Sequence, residues 1–117
     1  MKKTLVGKTA WYLKAVAEEQ RLKILKILAS SMAESVCVTD VANILGISQP
    51  SATKHLKILE NVDLLIRKRK GVNVYYSLNN AGLKELRDYI DRTFAKGFTK
   101  CPNKFKCDEC PKGATCI

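Results

Sequence analysis

The sequence predicts a mainly α domain carrying one small β-hairpin, and three observations predict it. Apolar residues recur at three- and four-residue spacing between Leu13 and Ala29, the mark of helices with one buried face. Gly46 separates two short helical segments, near residues 40–45 and 50–60, as in a helix-turn-helix. From Val72 to Leu78 the apolar period drops to two, as in a half-buried strand. The combination is a winged helix-turn-helix of about five helices and a two-stranded wing. It occupies residues 1–97, ahead of a cysteine-rich tail at 98–117. A chain of 117 residues suits one core and is too short for two.

Leu13, Val16 and Ala17 form the first helical stripe, and Leu22, Leu25, Leu28 and Ala29 the second. Ile24 and Ile27 make the second segment apolar around most of its circumference, which predicts a central core helix with Lys23 and Lys26 as its solvated stripe. Thr39 or its neighbour is expected to cap a short helix through Asp40 to Leu45, and Gly46 to end it with a left-handed residue. Ser48 then offers an N-cap oxygen, and Pro50 fits a first turn where a missing N–H costs nothing. On that helix Ala52, Leu56 and Leu59 share one face, which must point at the core and leave Gln49, Ser51, Thr53, Lys54 and Lys57 toward solvent.

Leu64, Leu65 and Ile66 are expected to pair with the strand at Val72, Val74, Tyr76 and Leu78, with Arg67 to Gly71 as the hairpin tip, where Gly71 can take a positive φ. Asn79 or Asn80 is expected to cap a last helix with Leu83, Leu86, Ile90 and Phe94 on one stripe, broken at Gly97.

The formal net charge is +10, from 21 Lys and Arg against 11 acids, which favours polyanions as partners. No stretch has the length and apolarity of a membrane span. The N-terminus has no apolar export signal, so a cytoplasmic location is expected. No catalytic triad, paired carboxylates or phosphate-cradling loop stands out, so no enzymatic activity is expected.

Between Ser48 and Gly71 the net charge is +4. In a winged helix-turn-helix, the second helix enters the DNA major groove and the hairpin rides the adjacent backbone or minor groove. Lys57, Arg67, Lys68, Arg69 and Lys70 are therefore candidate DNA-binding residues, through phosphate contact and counterion release. The base-contact candidates are Gln49, Ser51 and Lys54, with Thr53 and His55 behind them. A solvated hairpin tip also explains the wing charges, and His55 could equally hydrogen-bond within the domain.

Four segments, Glu19 to Leu25, Cys37 to Ala42, Ser48 to Leu59 and Val74 to Leu78, resemble the arsenical-resistance repressor (ArsR/SmtB) family, in the family's order and over about residues 9–95. The resemblance implies a homodimeric repressor joined through its first and last helices, bound to an imperfect inverted repeat in double-stranded operator DNA and released by an inducer. Trp11, Leu13, Tyr89, Ile90 and Phe94 are then candidates for the dimer contact; each could equally belong to the monomer core. Two inducer positions used in the family are incomplete here. Its Cys-Val-Cys-Asp thiolate motif reads Cys37-Val38-Thr39-Asp40, and the last helix has no histidine for its zinc site.

The remaining sensor candidate is the tail, where Cys101, Cys107, Cys110 and Cys116 surround a central Cys-x-x-Cys. Four thiols can complete the tetrahedron preferred by zinc or hold an iron-sulfur cluster, and three suit arsenite or antimonite. Reversible disulfide sensing and a disordered tail with incidental thiols stay open. Cys37 reads first as a small buried residue and second as an extra ligand. Two other functions compete: a constitutive winged-helix DNA-binding protein with a structural zinc on the four tail cysteines, and a thiol-disulfide oxidoreductase, which lacks the βαβ context that its Cys-x-x-Cys needs.

Overall fold

The computed structural model describes residues 4–31, 35–95 and 104. Its elements are α1 (Leu5–Val16), α2 (Glu19–Ser30), β1 (Val36–Cys37), α3 (Val38–Leu45), α4 (Gln49–Asn61), β2 (Leu65–Lys70), β3 (Asn73–Leu78) and α5 (Asn80–Ala95). The three strands form one antiparallel sheet in the order β1-β3-β2. This is the five-helix winged architecture expected, with one strand more. Among the described residues no helix is long and apolar enough to cross a membrane. The tail cysteines Cys101, Cys107, Cys110 and Cys116, the domain boundary at 97–98 and Gly97 lie outside the described residues.

Local chemistry explains the boundaries. Thr4 accepts from Gly7 N at 2.9 Å to open α1. Glu18 accepts from Arg21 N at 3.1 Å to open α2, where a carboxylate also suits the helix dipole. Gly46, at φ +68°, closes α3 and sends its N–H back to Ala42 and Asn43. A residue with a Cβ would be strained there by roughly 1–2 kcal/mol. Ser48 caps α4 through Ser51 N at 3.2 Å, with Pro50 in the first turn. The cap of α3 differs from expectation: it is Cys37, and Thr39 lies inside the first turn.

Three further expectations are corrected. In α2 only Ile24 and Leu28 are buried; Ile27 is half-buried, Ala29 is exposed and Leu22 is 53% exposed. The helix touches α1, α3, α4 and β3, yet these neighbours cover one stripe rather than its whole circumference. The segment Arg67 to Lys70 is strand rather than tip, paired from Arg67↔Tyr76 to Lys70↔Asn73, and only Gly71 and Val72 make the turn. Val72 is therefore 90% exposed and not part of the buried alternation. At the end of α5 the expected stripe also fades, because Phe94 is 59% exposed and Thr93 is buried in its place.

The core centres on Tyr12, Ile24, Val41, Leu56, Leu59, Leu64 and Tyr76. A polar clamp joins α1 to α5. Thr9 Oγ1 lies 2.6 Å from the Thr93 hydroxyl, 2.8 Å from the Leu5 carbonyl and 3.2 Å from the Tyr89 carbonyl. When the Thr9 proton goes to a carbonyl, Thr93 donates, so neither buried hydroxyl lacks a partner.

The passage from α4 to β2 turns through Asp63, at φ +61°. Its carbonyl accepts from Asn79 Nδ2 at 2.9 Å, while Asn79 Oδ1 accepts from Gly82 N at 3.3 Å and caps α5. A Cβ on Gly82 would sit 1.9 Å from that same carbonyl oxygen. Gly82→Ala is therefore expected to destabilise the fold by about 1–3 kcal/mol through overpacking, lowering the thermal midpoint by several degrees in a circular-dichroism melt, whereas alanine at exposed Ala81 is already accommodated.

The Tyr12 phenol, 2% exposed, is pushed up to about 12, by burial first and then by the Glu85 carboxylate. The folded state holds the neutral phenol, so this stability is complete below about pH 10 and is lost as pH rises through about 12. Tyr76 is raised as well, again by burial first. In an alkaline absorbance titration, Tyr12 and Tyr76 should ionise at higher pH in the folded chain than in denaturant.

Candidate nucleic-acid interface

Helix α4 presents two opposed faces. Ala52, Leu56 and Leu59 have no exposed area, while Gln49, Ser51, Lys54 and Lys57 are exposed and Thr53 is half-buried. Gln49, Pro50, Thr53, Lys54 and Lys57 line one open depression of about 590 Å³. Two of the candidate base readers are oriented by their own neighbours. Gln49 Nε2 donates to Thr39 Oγ1 at 3.3 Å, from α4 to α3, leaving its carbonyl oxygen as an acceptor. Ser48 Oγ donates to Ser51 Oγ at 3.0 Å, within the cap.

His55 departs from this group. Its Nδ1 lies 3.2 Å from Arg21 Nη1 and 3.9 Å from Glu18 Oε2, so the ring is engaged with α2. The within-domain alternative describes these contacts of Nδ1.

Arg67, Lys68, Arg69 and Lys70 are all exposed along β2. Because side chains alternate across a strand, Arg67 and Arg69 share one face of the wing and Lys68 and Lys70 the other. Arg67 Nε pairs with Glu60 Oε2 at 3.4 Å, Arg69 Nε donates to the Gly71 carbonyl at 3.3 Å, and Lys70 Nζ lies 5.7 Å from the Tyr75 ring centre. Sequence reasoning missed the link between wing and helix. Tyr76 is 2% exposed and hydrogen-bonds Glu60; the Glu60 charge adds to the rise in its pKa, and Arg67 opposes it. No local spacing connects residues 60, 67 and 76; only the β2–β3 register does so.

Cys37 is half-buried rather than buried, and its thiol donates to Asp40 Oδ2 at 3.2 Å. Among the described residues, no group of three or more His, Cys, Asp or Glu side chains could hold a metal.

Comparison with known proteins decides the family. The family described as "Bacterial regulatory protein, arsR family" matches residues 18–67. The transcriptional repressor SdpR of Bacillus subtilis is 33% identical over 84 residues, covering 72% of this chain and 90% of that protein. The chain belongs to the arsR family of bacterial regulators. A cadmium resistance transcriptional regulatory protein CadC homolog of Staphylococcus aureus is 38% identical over 73 residues, 62% of this chain, and the match spans 59% of that longer relative. Among solved structures, a possible transcriptional regulator for arsenical resistance superposes with a TM-score of 0.64 at 26% identity, covering 72% of this chain and 84% of the other. The arsR family comprises DNA-binding transcriptional regulators rather than enzymes, as the winged helix-turn-helix reading implies.

Glu60 joins helix to wing through a buried hydroxyl, so Tyr76→Phe should cost about 1–3 kcal/mol. Urea unfolding would show it as a lower midpoint with an unchanged slope.

Proposed function

We propose that this chain is a homodimeric transcriptional repressor that binds an imperfect inverted repeat in double-stranded operator DNA. It would act in the cytoplasm and be derepressed by a soft metal, a metalloid or a thiol oxidant acting on the tail cysteines. The observation that carries the DNA-binding part is the exposure of polar and basic side chains on both elements: Gln49, Ser51, Lys54 and Lys57 on α4, with Thr53 half-buried among them, and the four cations of β2, while the opposite side of α4 is buried. A reading helix beside a cationic hairpin matches groove entry with backbone clamping.

Pairing of two chains follows from the small footprint of one reading helix, since a two-fold protein matches a palindromic site. The surface best suited to it lies on α1 and α5, which pack on each other. Trp11, Leu13, Tyr89 and Ile90 are half-buried there, and Val6 and Phe94 are exposed. The sensor part rests on the four thiols at Cys101, Cys107, Cys110 and Cys116, and on the likeness to a cadmium resistance regulator. Zinc, arsenite or antimonite, or an iron-sulfur cluster, are the ligands such thiols suit.

Lys68→Gln and Arg69→Gln should each weaken binding to all duplexes and flatten the dependence of log affinity on log salt by about one unit, if each neutralises one phosphate. Gln49→Ala should instead reduce discrimination between bases, by about 1–3 kcal/mol at one position. Fluorescence anisotropy at several salt concentrations distinguishes the two classes of loss.

The sensor test is an anaerobic titration of the full chain with zinc, arsenite or ferrous iron plus sulfide, following thiolate absorbance and DNA anisotropy together. Derepression requires a tenfold or larger fall in affinity, about 1.4 kcal/mol, that disappears in Cys107→Ser/Cys110→Ser. Binding of zinc without any change in DNA affinity, together with loss of fold on chelation, would instead assign a structural tail.

A further inference from the structure

One side chain links the helix that reads DNA to the helix proposed to join the two protomers. Arg21, near the start of α2, sends its Nε to the Ala15 carbonyl and its Nη2 to the Lys14 carbonyl at 3.4 Å, both in the last turn of α1. Its remaining arm, Nη1, lies 3.2 Å from Nδ1 of His55 on α4. The Arg21 backbone N–H is held by Glu18, whose Oε2 is also 3.9 Å from the same imidazole nitrogen. A guanidinium only donates. The contact therefore requires the His55 tautomer with a bare Nδ1 and its proton on Nε2.

The placement of His55 gives this contact leverage. It follows Lys54, an exposed candidate for base contact, and precedes Leu56, which has no exposed area. His55 is thus on the margin between the buried and the reading faces of α4, where a tangential contact resists rotation about the helix axis. The direct packing of α1 on α4 is slight beside that of α1 on α5. The planar fork of Arg21 spans the gap, satisfying carbonyls left open at the end of α1.

We propose that Arg21 is a positioning residue which, through His55, sets the rotation of α4 relative to α1, and hence the mutual alignment of the two reading helices in a dimer. The proposal rests on α4 being the DNA-reading helix. It also supplies a route by which a change at the α1–α5 pair reaches the bases: a shift of the last turn of α1 moves both carbonyls to which the guanidinium is anchored. Arg21 touches no base or phosphate in this reading; it acts through His55.

The test uses the full chain, a duplex enriched by the wild type from a randomised pool, and an unrelated duplex of equal length. Arg21→Lys keeps a cation at the end of α1 but cannot fork to both partners, and His55→Leu removes the acceptor. Each should lower affinity for the enriched duplex about 5- to 50-fold, in the range of couplings between sites. Binding to the unrelated duplex, the salt slope and the oligomeric state should stay as in wild type. His55→Asn places an amide oxygen near the lost Nδ1 and should restore affinity to within about threefold of wild type. Combining Arg21→Lys with His55→Leu should be no worse than the weaker single variant, the signature of one shared contact.

Equal losses on both duplexes, additive losses in the double variant, or a His55→Asn protein as impaired as His55→Leu would each overturn the proposal. Should Arg21→Lys fail to fold, the comparison of His55→Leu with His55→Asn decides it alone. If the wild type enriches no duplex, the reading of α4 fails first and the positioning role falls with it, an outcome distinct from any pattern among the variants.

Discussion

The candidate nucleic-acid interface depends on one packing constraint, the complete burial of Ala52, Leu56 and Leu59 along one side of α4. At 3.6 residues per turn, holding that side against the core determines the direction of every other residue on the helix. Gln49, Ser51, Lys54 and Lys57 face outward because three apolar neighbours face inward. Losing a buried leucine side chain costs about 2–5 kcal/mol, whereas one ordinary hydrogen bond contributes about 0.5–1.5 kcal/mol. Burial therefore sets the rotation of α4 coarsely. Polar contacts at its margins, Gln49 to Thr39 and His55 to Arg21, act within the narrow range of angles that packing leaves.

Electrostatics then distribute the work between helix and wing. Glu60, at the far end of α4, takes the Tyr76 phenol and the Arg67 guanidinium together, so the base of the wing is tied to the helix it flanks. Exposed ion pairs contribute little, of the order of 0–1 kcal/mol, and phosphate can compete with Glu60 for Arg67. Lys68 projects from the opposite face of β2 and makes no ion pair among the described residues. The cations of one strand thus play different parts: Arg67 is partly committed to the fold, and Lys68 is available to a polyanion.

Much of this was legible in the sequence because it is written in short-range chemistry. Gly46, Ser48 and Pro50 mark the turn and the start of α4 by their own conformational preferences, and the structure places them so. The apolar spacing at residues 52, 56 and 59 gave the buried face directly. What was not legible lies at long sequence separation. Strand β1 is two residues long, too short to show a period, and exists only because it pairs with Tyr75 and Tyr76. Thr9 and Thr93 look like ordinary helix polar residues until α1 meets α5. The run Arg67 to Lys70 suggested a tip because four charges in succession favour solvent; a strand exposed on both faces accommodates them equally well. The histidine was ambiguous for a similar reason, since its partner Arg21 lies 34 residues earlier.

The pairing of Val36 with Tyr76 and Cys37 with Tyr75 has a consequence for how the chain reaches this shape. The hairpin of β2 and β3, Leu65–Leu78, is built from contacts close in sequence, and such contacts form early and fast. The two-residue strand docks on that hairpin beside the contacts that α2 and α3 make with β3, closing a loop of about forty residues with little hydrogen bonding of its own. Loop closure of that length is an entropic cost which few contacts repay until neighbouring side chains are packed. The pairing of β1 with β3 is therefore expected to come late on the folding route, after the hairpin has formed, whereas α4 and β2 meet through residues close in sequence such as Glu60 and Arg67.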